Sequence, residues 1–437
     1  MRLDREHAHA LDAADPLRAW RERFVLPQDQ AGHELVYLCG HSLGAQPTLA
    51  ADYVEEVMRD WRSLGVDGHF AGRHPWTTYH ERAAPALAEL VGAGTQEVVA
   101  MNALTANLHL LLVSFYRPAG ERTALLIEQQ AFPSDRHAAE SQVRWHGLDP
   151  GRDLIEVAPR AGETCLRTED LVATIEREGP RIATVLLPGV QYLTGQRLDV
   201  EVVTAAARRA GCTVGWDLAH AIGNVPVALH DAGADFAVWC HYKYLNGGPG
   251  AVGGAFVHAR HARRDDLPRF AGWWGHDRVT RFEMGPVFQP MQGAQGWQLS
   301  NPPILGLAPL VASLEHFGTV GLAALRAKSV ALTGYLEALI DARLAGRVTV
   351  LTPRGASERG AALSLRLECG RDEARAAFDG LRTRGVVPDW REPGVIRVAP
   401  VPFYNGFDDA WRFVDALCAE LVAPSALRPL DRGTGAP

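Results

Sequence analysis

The chain is short of the features that mark secreted, membrane or nucleic-acid-binding proteins. Its 437 residues hold six cysteines (39, 165, 212, 240, 369 and 418), with no C-x-x-C pair and no dense framework, so free thiols in a reducing cytoplasm are expected. No run reaches about 18 uninterrupted apolar residues, and Met1-Arg-Leu-Asp-Arg-Glu-His has no apolar h-region, so a soluble, cytoplasmic protein is expected. Positive charge is also scarce: 44 Lys+Arg stand against 51 Asp+Glu, for a net charge of -7. Without a basic stripe, neither nucleic acid nor an anionic membrane is expected as a partner, which leaves a small molecule. Repeats and low-complexity tracts are missing as well.

What is present suits a globular enzyme. Apolar residues make up 47% and charged ones 22%, enough to bury a large core. After a polar, helix-rich lead-in and the turn Gly40-His-Ser-Leu-Gly44, helical spacing runs through Ala50–Leu64. Residues 65–76, with two histidines, glycines and Pro75, read as an irregular loop.

From there short apolar strands alternate with helices. Expected strands are Ala124–Glu128, Leu154–Val157, Ile182–Leu187, Cys212–Trp216, Phe236–Trp239 and Ala251–His258; expected helices include Ala106–Tyr116, Thr168–Glu178 and Val200–Ala210. That pattern predicts βαβ units and a mostly parallel sheet buried on both faces. Residues 272–303 read as an ordered functional loop, and the α+β pattern beyond Leu305 as a second, smaller domain. The expected division is an arm over 1–64 packing with the small domain, a large domain over 65–305, a small domain over 306–424 and a frayed tail over 425–437.

The chemistry concentrates between Asp217 and Gly254. Lys243 follows one expected strand; its amine could form an imine with an aldehyde, although a lone lysine there is more often a surface residue. Asp217 ends the preceding strand, at the carboxyl edge where α/β sheets bind ligands. Paired with a pyridinium nitrogen it would keep such a ring electron-withdrawing; alone it reads equally as a helix cap. His220 could stack on the same ring and Tyr242 could donate to phosphate. Together they read as the seat of pyridoxal phosphate (PLP).

Leu104-Thr105, at a strand-to-helix junction, offers backbone N–H groups and a hydroxyl to the phosphate. Phe132-Pro133-Ser134-Asp135 follows the next strand; Phe132 could cover a ring, Ser134 donate to phosphate and Asp135 orient either. Arg397 interrupts the apolar Val-Ile-Arg-Val-Ala and suits bidentate capture of a carboxylate. Two further patterns are discounted. Gly248-Pro-Gly-Ala-Val-Gly253 fits G-x-G-x-x-G but no helix opens after it. His258-Ala-Arg-His261 has ligand spacing but sits among charges, as on a solvated helix, so no metal is expected.

With those residues in place, the sequence resembles the kynureninases, PLP enzymes of fold type I, the aspartate aminotransferase-like α/β fold. The strings that carry the resemblance are Gly40-His-Ser-Leu-Gly-Ala-Gln-Pro47, Met101-Asn-Ala-Leu-Thr-Ala-Asn-Leu-His-Leu110, Ala131-Phe-Pro-Ser-Asp135, Trp216-Asp-Leu-Ala-His-Ala221, Trp239-Cys-His-Tyr-Lys-Tyr-Leu-Asn246, Ser300-Asn-Pro-Pro-Ile304 and Arg397-Val-Ala-Pro-Val-Pro402.

The resemblance implies hydrolysis of L-kynurenine to anthranilate and L-alanine, with Lys243, Tyr242 and Asp217 catalytic. It implies that Lys243 holds PLP, Asp217 pairs with its pyridine nitrogen, and Phe132 and His220 border the ring. Leu104, Thr105, Ser134 and Tyr242 would serve the phosphate, with Pro133 and Asp135 in the same cofactor segment. Trp273 and Asn301 would reach the cofactor of a second subunit in a homodimer. Arg397 would clamp the substrate carboxylate, and Ser42, His69 and Asn301 would face the kynurenine side chain. Pro188 and His41 depart from the family pattern, which has Ser or Thr and Asn there. The alternatives are another lyase of the same group, of the cysteine desulfurase or selenocysteine lyase type, and a non-catalytic homologue.

Overall fold

The computed structural model describes residues 2–422; the tail expected over 425–437 lies outside the described residues. A seven-stranded sheet forms the centre, in the order Val98–Ala100, Gly253–Val257, Phe236–Cys240, Thr213–Asp217, Ile182–Pro188, Ala124–Glu128, Leu154–Val157. Every pairing from Phe236–Cys240 outward to Leu154–Val157 is parallel, and Gly253–Val257 runs antiparallel to both of its neighbours. Runs such as Ile-Ala-Thr-Val-Leu-Leu are buried along their length because helices cover both faces, which is why they lack alternation. The expected strands and the helices Ala50–Leu64 and Thr168–Glu178 are present with the bounds shifted by at most two residues.

Parallel strands bring their carboxyl ends to one edge, so Glu128, Pro188, Asp217 and the turn after Cys240 share it. The chain then passes through Ile304–Val320, breaks at Gly321 and continues as Leu322–Arg343. A four-stranded antiparallel sheet follows, in the order Val348–Val350, Leu363–Leu367, Val395–Val398, Asp389–Arg391. Helices Arg371–Thr383 and Phe407–Val422 pack with it, and Val36–Tyr37 pairs in parallel with Val386–Val387. Ala8, Val36 and Leu38 join this second core, whereas Phe24, Leu26 and Ala45 join the first, so the N-terminal 64 residues serve both.

Three elements differ from the sequence reading. A full helix, Pro133–Trp145, occupies what reads as turn residues, residues 65–69 form a 3-10 turn within the expected loop, and Asp389–Arg391 is an unexpected strand. Among the described residues no single helix is long and apolar enough to cross a membrane, and all six cysteines are unpaired.

Candidate active site

At the carboxyl edge of the parallel strands lies a cleft, partly open to solvent, with Lys243 among its walls. The turn that carries the lysine is fixed from three sides. The buried His241 ring accepts from the Trp239 indole at 2.7 Å and bonds the Val252 carbonyl at 2.5 Å, tying the turn to the next strand. Asn246 takes φ 52°, a left-handed conformation that asparagine tolerates. Gly44 lies on the outside, its N–H donating to the Tyr242 carbonyl at 2.7 Å. A Cβ there would stand 2.4 Å from the Lys243 carbonyl oxygen, so only glycine fits.

Lys243 Nζ points at His220 Nε2, 3.0 Å away, and lies 5.7 Å from the centre of the Phe132 ring. Burial and the neighbouring Lys243 hold the His220 pKa well below the ordinary histidine value, so a neutral ring faces Lys243 Nζ. Tyr242 borders the same cleft, and burial pushes its phenol upward.

Two helix N-termini converge at the other end. Asn107 Nδ2 donates to the Met101 carbonyl at 2.8 Å and Asn102 Nδ2 to Asn107 Oδ1 at 3.0 Å, shaping the turn that starts Leu104–Phe115. Pro133–Trp145 starts opposite, and Thr105 Oγ1 and Ser134 Oγ meet at 2.6 Å. Free N–H groups of two first turns plus two hydroxyls make a cradle for a dianionic phosphate.

Between these ends the walls are acidic. Asp217 Oδ1 accepts from Ala219 N at 2.7 Å. Burial, with Asp217 beside it, holds the Asp135 carboxyl well above its usual range, and its Oδ1 is buried without a hydrogen-bond partner. Burial likewise pushes Glu128 up to about 8, opposed by Gln191 Nε2 at 3.4 Å. A carboxyl at the end of the Thr213–Asp217 strand suits a pyridinium nitrogen, the Thr105–Ser134 hydroxyl pair suits a phosphate, and Lys243 suits an aldehyde. The residues present fit PLP.

Arg397 sits next to this cleft. Its Nη1 donates to the Tyr192 carbonyl, Nη2 to Ser42 Oγ at 3.3 Å, and Nε to Asp389 Oδ2 at 2.8 Å. His41 Nε2 lies 3.3 Å from the same carboxylate; burial and the Arg397 charge hold this histidine down to about 4, so it is neutral at pH 7. Burial works against ionisation of Asp389, yet His41 and Arg397 together hold its carboxyl well below the usual range.

The structure thus brings together Leu104, Thr105, Phe132, Ser134, Asp135, Asp217, His220, Tyr242 and Lys243 around one cleft, and joins Ser42 to Arg397 beside it. Pro133 opens its helix next to them, and Pro188, at the end of its strand, lines the wall in place of a hydroxyl residue. His69, Trp273 and Asn301 do not line the cleft of their own chain: His69 packs edge-on to Trp76, and Trp273 donates to the Arg281 carbonyl. Sequence reasoning missed Glu128, Tyr192 and Asp389. For Asp389 a signal exists, an acid eight residues before Arg397 across a Pro-Gly turn.

The family model of the kynureninase C-terminal domain matches residues 325–417. A kynureninase of Xanthomonas campestris pv. campestris (strain 8004) is 57% identical over 413 residues, covering 94% of this chain and 97% of the relative. A kynureninase of Stenotrophomonas maltophilia (strain K279a) is 55% identical with the same coverage of both. Among solved structures, the cysteine desulfurase CsdA of Escherichia coli has a TM-score of 0.73 at 17% identity, covering 93% of this chain and 98% of that one. The cystine C–S lyase C-DES has a TM-score of 0.73 at 16% identity, covering 88% and 97%. These two likenesses show the fold, that of the PLP-dependent type I enzymes. Through its curated relatives, similar along almost the whole sequence, the chain belongs to the kynureninase family.

Proposed function

We propose that this protein is a PLP-dependent hydrolase that cleaves the Cβ–Cγ bond of L-kynurenine to anthranilate and L-alanine. The observation that carries the reading is the convergence of Lys243, Asp217 and the Thr105–Ser134 hydroxyl pair on one cleft, with Arg397 beside it, in a chain 57% identical to a kynureninase. Lys243, Asp217, Leu104, Thr105, Ser134 and Tyr242 would hold the cofactor, with Phe132 and His220 along its ring and Pro133 and Asp135 in the supporting turn. When bound, PLP supplies an electron sink for the charge left on the substrate α-carbon once its proton is removed.

The protein's own groups do the rest. Arg397, with Ser42, binds the α-carboxylate and so sets which α-carbon bond is presented. The Lys243 amine takes the α-proton, and His220 at 3.0 Å orients that amine. Water then adds to the side-chain ketone and the carbon–carbon bond breaks as anthranilate leaves. Tyr242, kept protonated by burial, is the proton donor for these later steps.

A cysteine desulfurase or selenocysteine lyase would need a nucleophilic cysteine at the lysine. None of the residues lining the cleft is a cysteine, and Cys369 and Cys418 pack against the small core. Supplying the PLP-loaded protein with L-kynurenine and following anthranilate fluorescence, with L-cysteine as the control substrate, tests the reading. Sulfide from cysteine without anthranilate from kynurenine would overturn it.

The protein is read as a homodimer. Trp273 and Asn301 lie outside the cleft of their own chain, which supports their service to the cleft of a second copy. A division at residues 65 and 305 fits the two sheets, and six unpaired cysteines support a cytoplasmic setting.

A further inference from the structure

Three side chains from separate segments meet at the edge of the central sheet opposite Lys243. Glu97 precedes the strand Val98–Ala100, His230 lies in the short helix Leu229–Ala232, and His258 follows the strand Gly253–Val257. Strand register places them there. Val98 pairs with Phe256, and Val257 with Phe236, the first residue of the strand whose far end leads to Lys243.

The Glu97 carboxylate is buried, with 4% of the side chain exposed. It accepts the N–H of Gly94 at 2.8 Å and that of Ala259 at 2.6 Å, and among the described residues no lysine or arginine pairs with it. Its side-chain partners are the two histidines. His230 Nδ1 is 2.9 Å and His258 Nδ1 3.6 Å from Glu97 Oε1, and the two rings stack with centres 4.7 Å apart. The three donor atoms lie within 4.8 Å of one another.

A tetrahedral zinc ion with bonds of about 2.1 Å keeps its ligand atoms roughly 3.4 Å apart, and the two measured edges bracket that value. Two imidazoles with one carboxylate suit Zn²⁺ or Co²⁺, whereas Ca²⁺ and Mg²⁺ prefer oxygen alone. Glu97, His230 and Asp231 also line a cleft open to solvent, from which a water would serve as the fourth ligand. His258 Nδ1 now accepts the N–H of Arg260 at 3.1 Å, and coordination would replace that one neutral hydrogen bond.

The spacing His258–His261 is not the basis of this site, nor do those histidines lie on a solvated helix face. His261 is buried and bonded to Asp235 at 2.8 Å, while His258 turns to Glu97.

We propose that Glu97, His230 and His258 form a binding site for a divalent transition-metal ion, Zn²⁺ fitting best. The ion pins the edge strand to its neighbour and to the Leu229–Ala232 helix, away from the Lys243 cleft and without a part in turnover. The test uses the full-length, PLP-loaded protein after chelation and dialysis, titrated with Zn²⁺ by calorimetry and with Co²⁺ by visible absorption. The expected result is one ion per chain that gives tetrahedral Co²⁺ bands and raises Tm. His230→Ala, at a half-exposed position, should weaken binding more than about 100-fold, and Glu97→Gln should also weaken it. Kynurenine turnover of His230→Ala should match the parent. Equal Zn²⁺ stoichiometry and affinity in the parent and His230→Ala, or no binding by the parent, would overturn the proposal.

Discussion

Asp389 and Arg397 stand opposite each other on adjacent antiparallel strands, and one carboxylate oxygen takes both Nε and Nη2 of the guanidinium. That occupies the side edge of the fork. The edge formed by Nη1 and Nη2 meets the Tyr192 carbonyl and the Ser42 hydroxyl, so a substrate carboxylate bound there, as proposed, would share or displace those partners.

Asp389 is therefore a positioning residue for Arg397. Asp389→Ala should raise KM for L-kynurenine about tenfold or more with a smaller change in kcat, because it loosens the group proposed to bind the substrate carboxylate. Asp389→Asn, which keeps an acceptor, should fall between. Steady-state kinetics decides this: an unchanged KM in Asp389→Ala would show that Arg397 needs no orienting partner.

The phosphate cradle gives a prediction on cofactor affinity. Thr105 and Ser134 each offer a hydroxyl to a dianion, a bond worth about 1.5–3 kcal/mol. Thr105→Ala and Ser134→Ala should each weaken PLP binding roughly tenfold to a hundredfold in an absorbance titration. The pair at 2.6 Å should behave non-additively in the double variant. Full PLP affinity in both single variants would place the phosphate elsewhere.

Glu128 makes a prediction on pH. Burial raises its folded pKa to about 8 from an ordinary value near 4.5, so the folded protein holds a proton that the unfolded chain has released over that interval. Its stabilising contribution is complete below about pH 4.5 and is lost as pH rises towards 8. Glu128→Gln cannot ionise, so in urea unfolding of the cofactor-free protein it should gain on the parent between about pH 5 and 8, by up to a few kcal/mol. Parallel pH profiles would show that this carboxyl is not a buried acid.

A shared site implies complementation between subunits. Lys243→Ala lacks the lysine and Asn301→Ala lacks a group proposed to act across the interface, so each alone should turn over poorly. Unfolding and refolding the two together should restore turnover, because mixed dimers carry one intact cleft. Mixtures no more active than the separate variants would place Asn301 with its own subunit's lysine, or outside the site.

Legibility in the sequence followed chain locality. Asp217 and Lys243 could be read because each is a lone polar group at the end of an apolar run, and strand ends in parallel sheets share an edge. The helix Pro133–Trp145 was hidden because Arg136, His137, Glu140 and Arg144 dilute its apolar period. Glu128 looks like an ordinary strand end until the sheet sets it beside Asp217 and Asp135. Asp389 depends on a hairpin register, and the Tyr192 partner of Arg397 is a backbone carbonyl, which no residue type announces. The proposed roles of Trp273 and Asn301 depend on a second chain, which no pattern within one sequence displays.

The central claim is that Lys243 does the chemistry of kynurenine cleavage, holding the cofactor and moving the α-proton. Its most direct test is anthranilate fluorescence from L-kynurenine with PLP-loaded wild type and Lys243→Ala side by side, with Tm and PLP content measured on both. The expected result is steady anthranilate release by the wild type and a loss of at least about a thousandfold in a folded, PLP-containing Lys243→Ala. Comparable release by both proteins, or none by the wild type, would contradict the account.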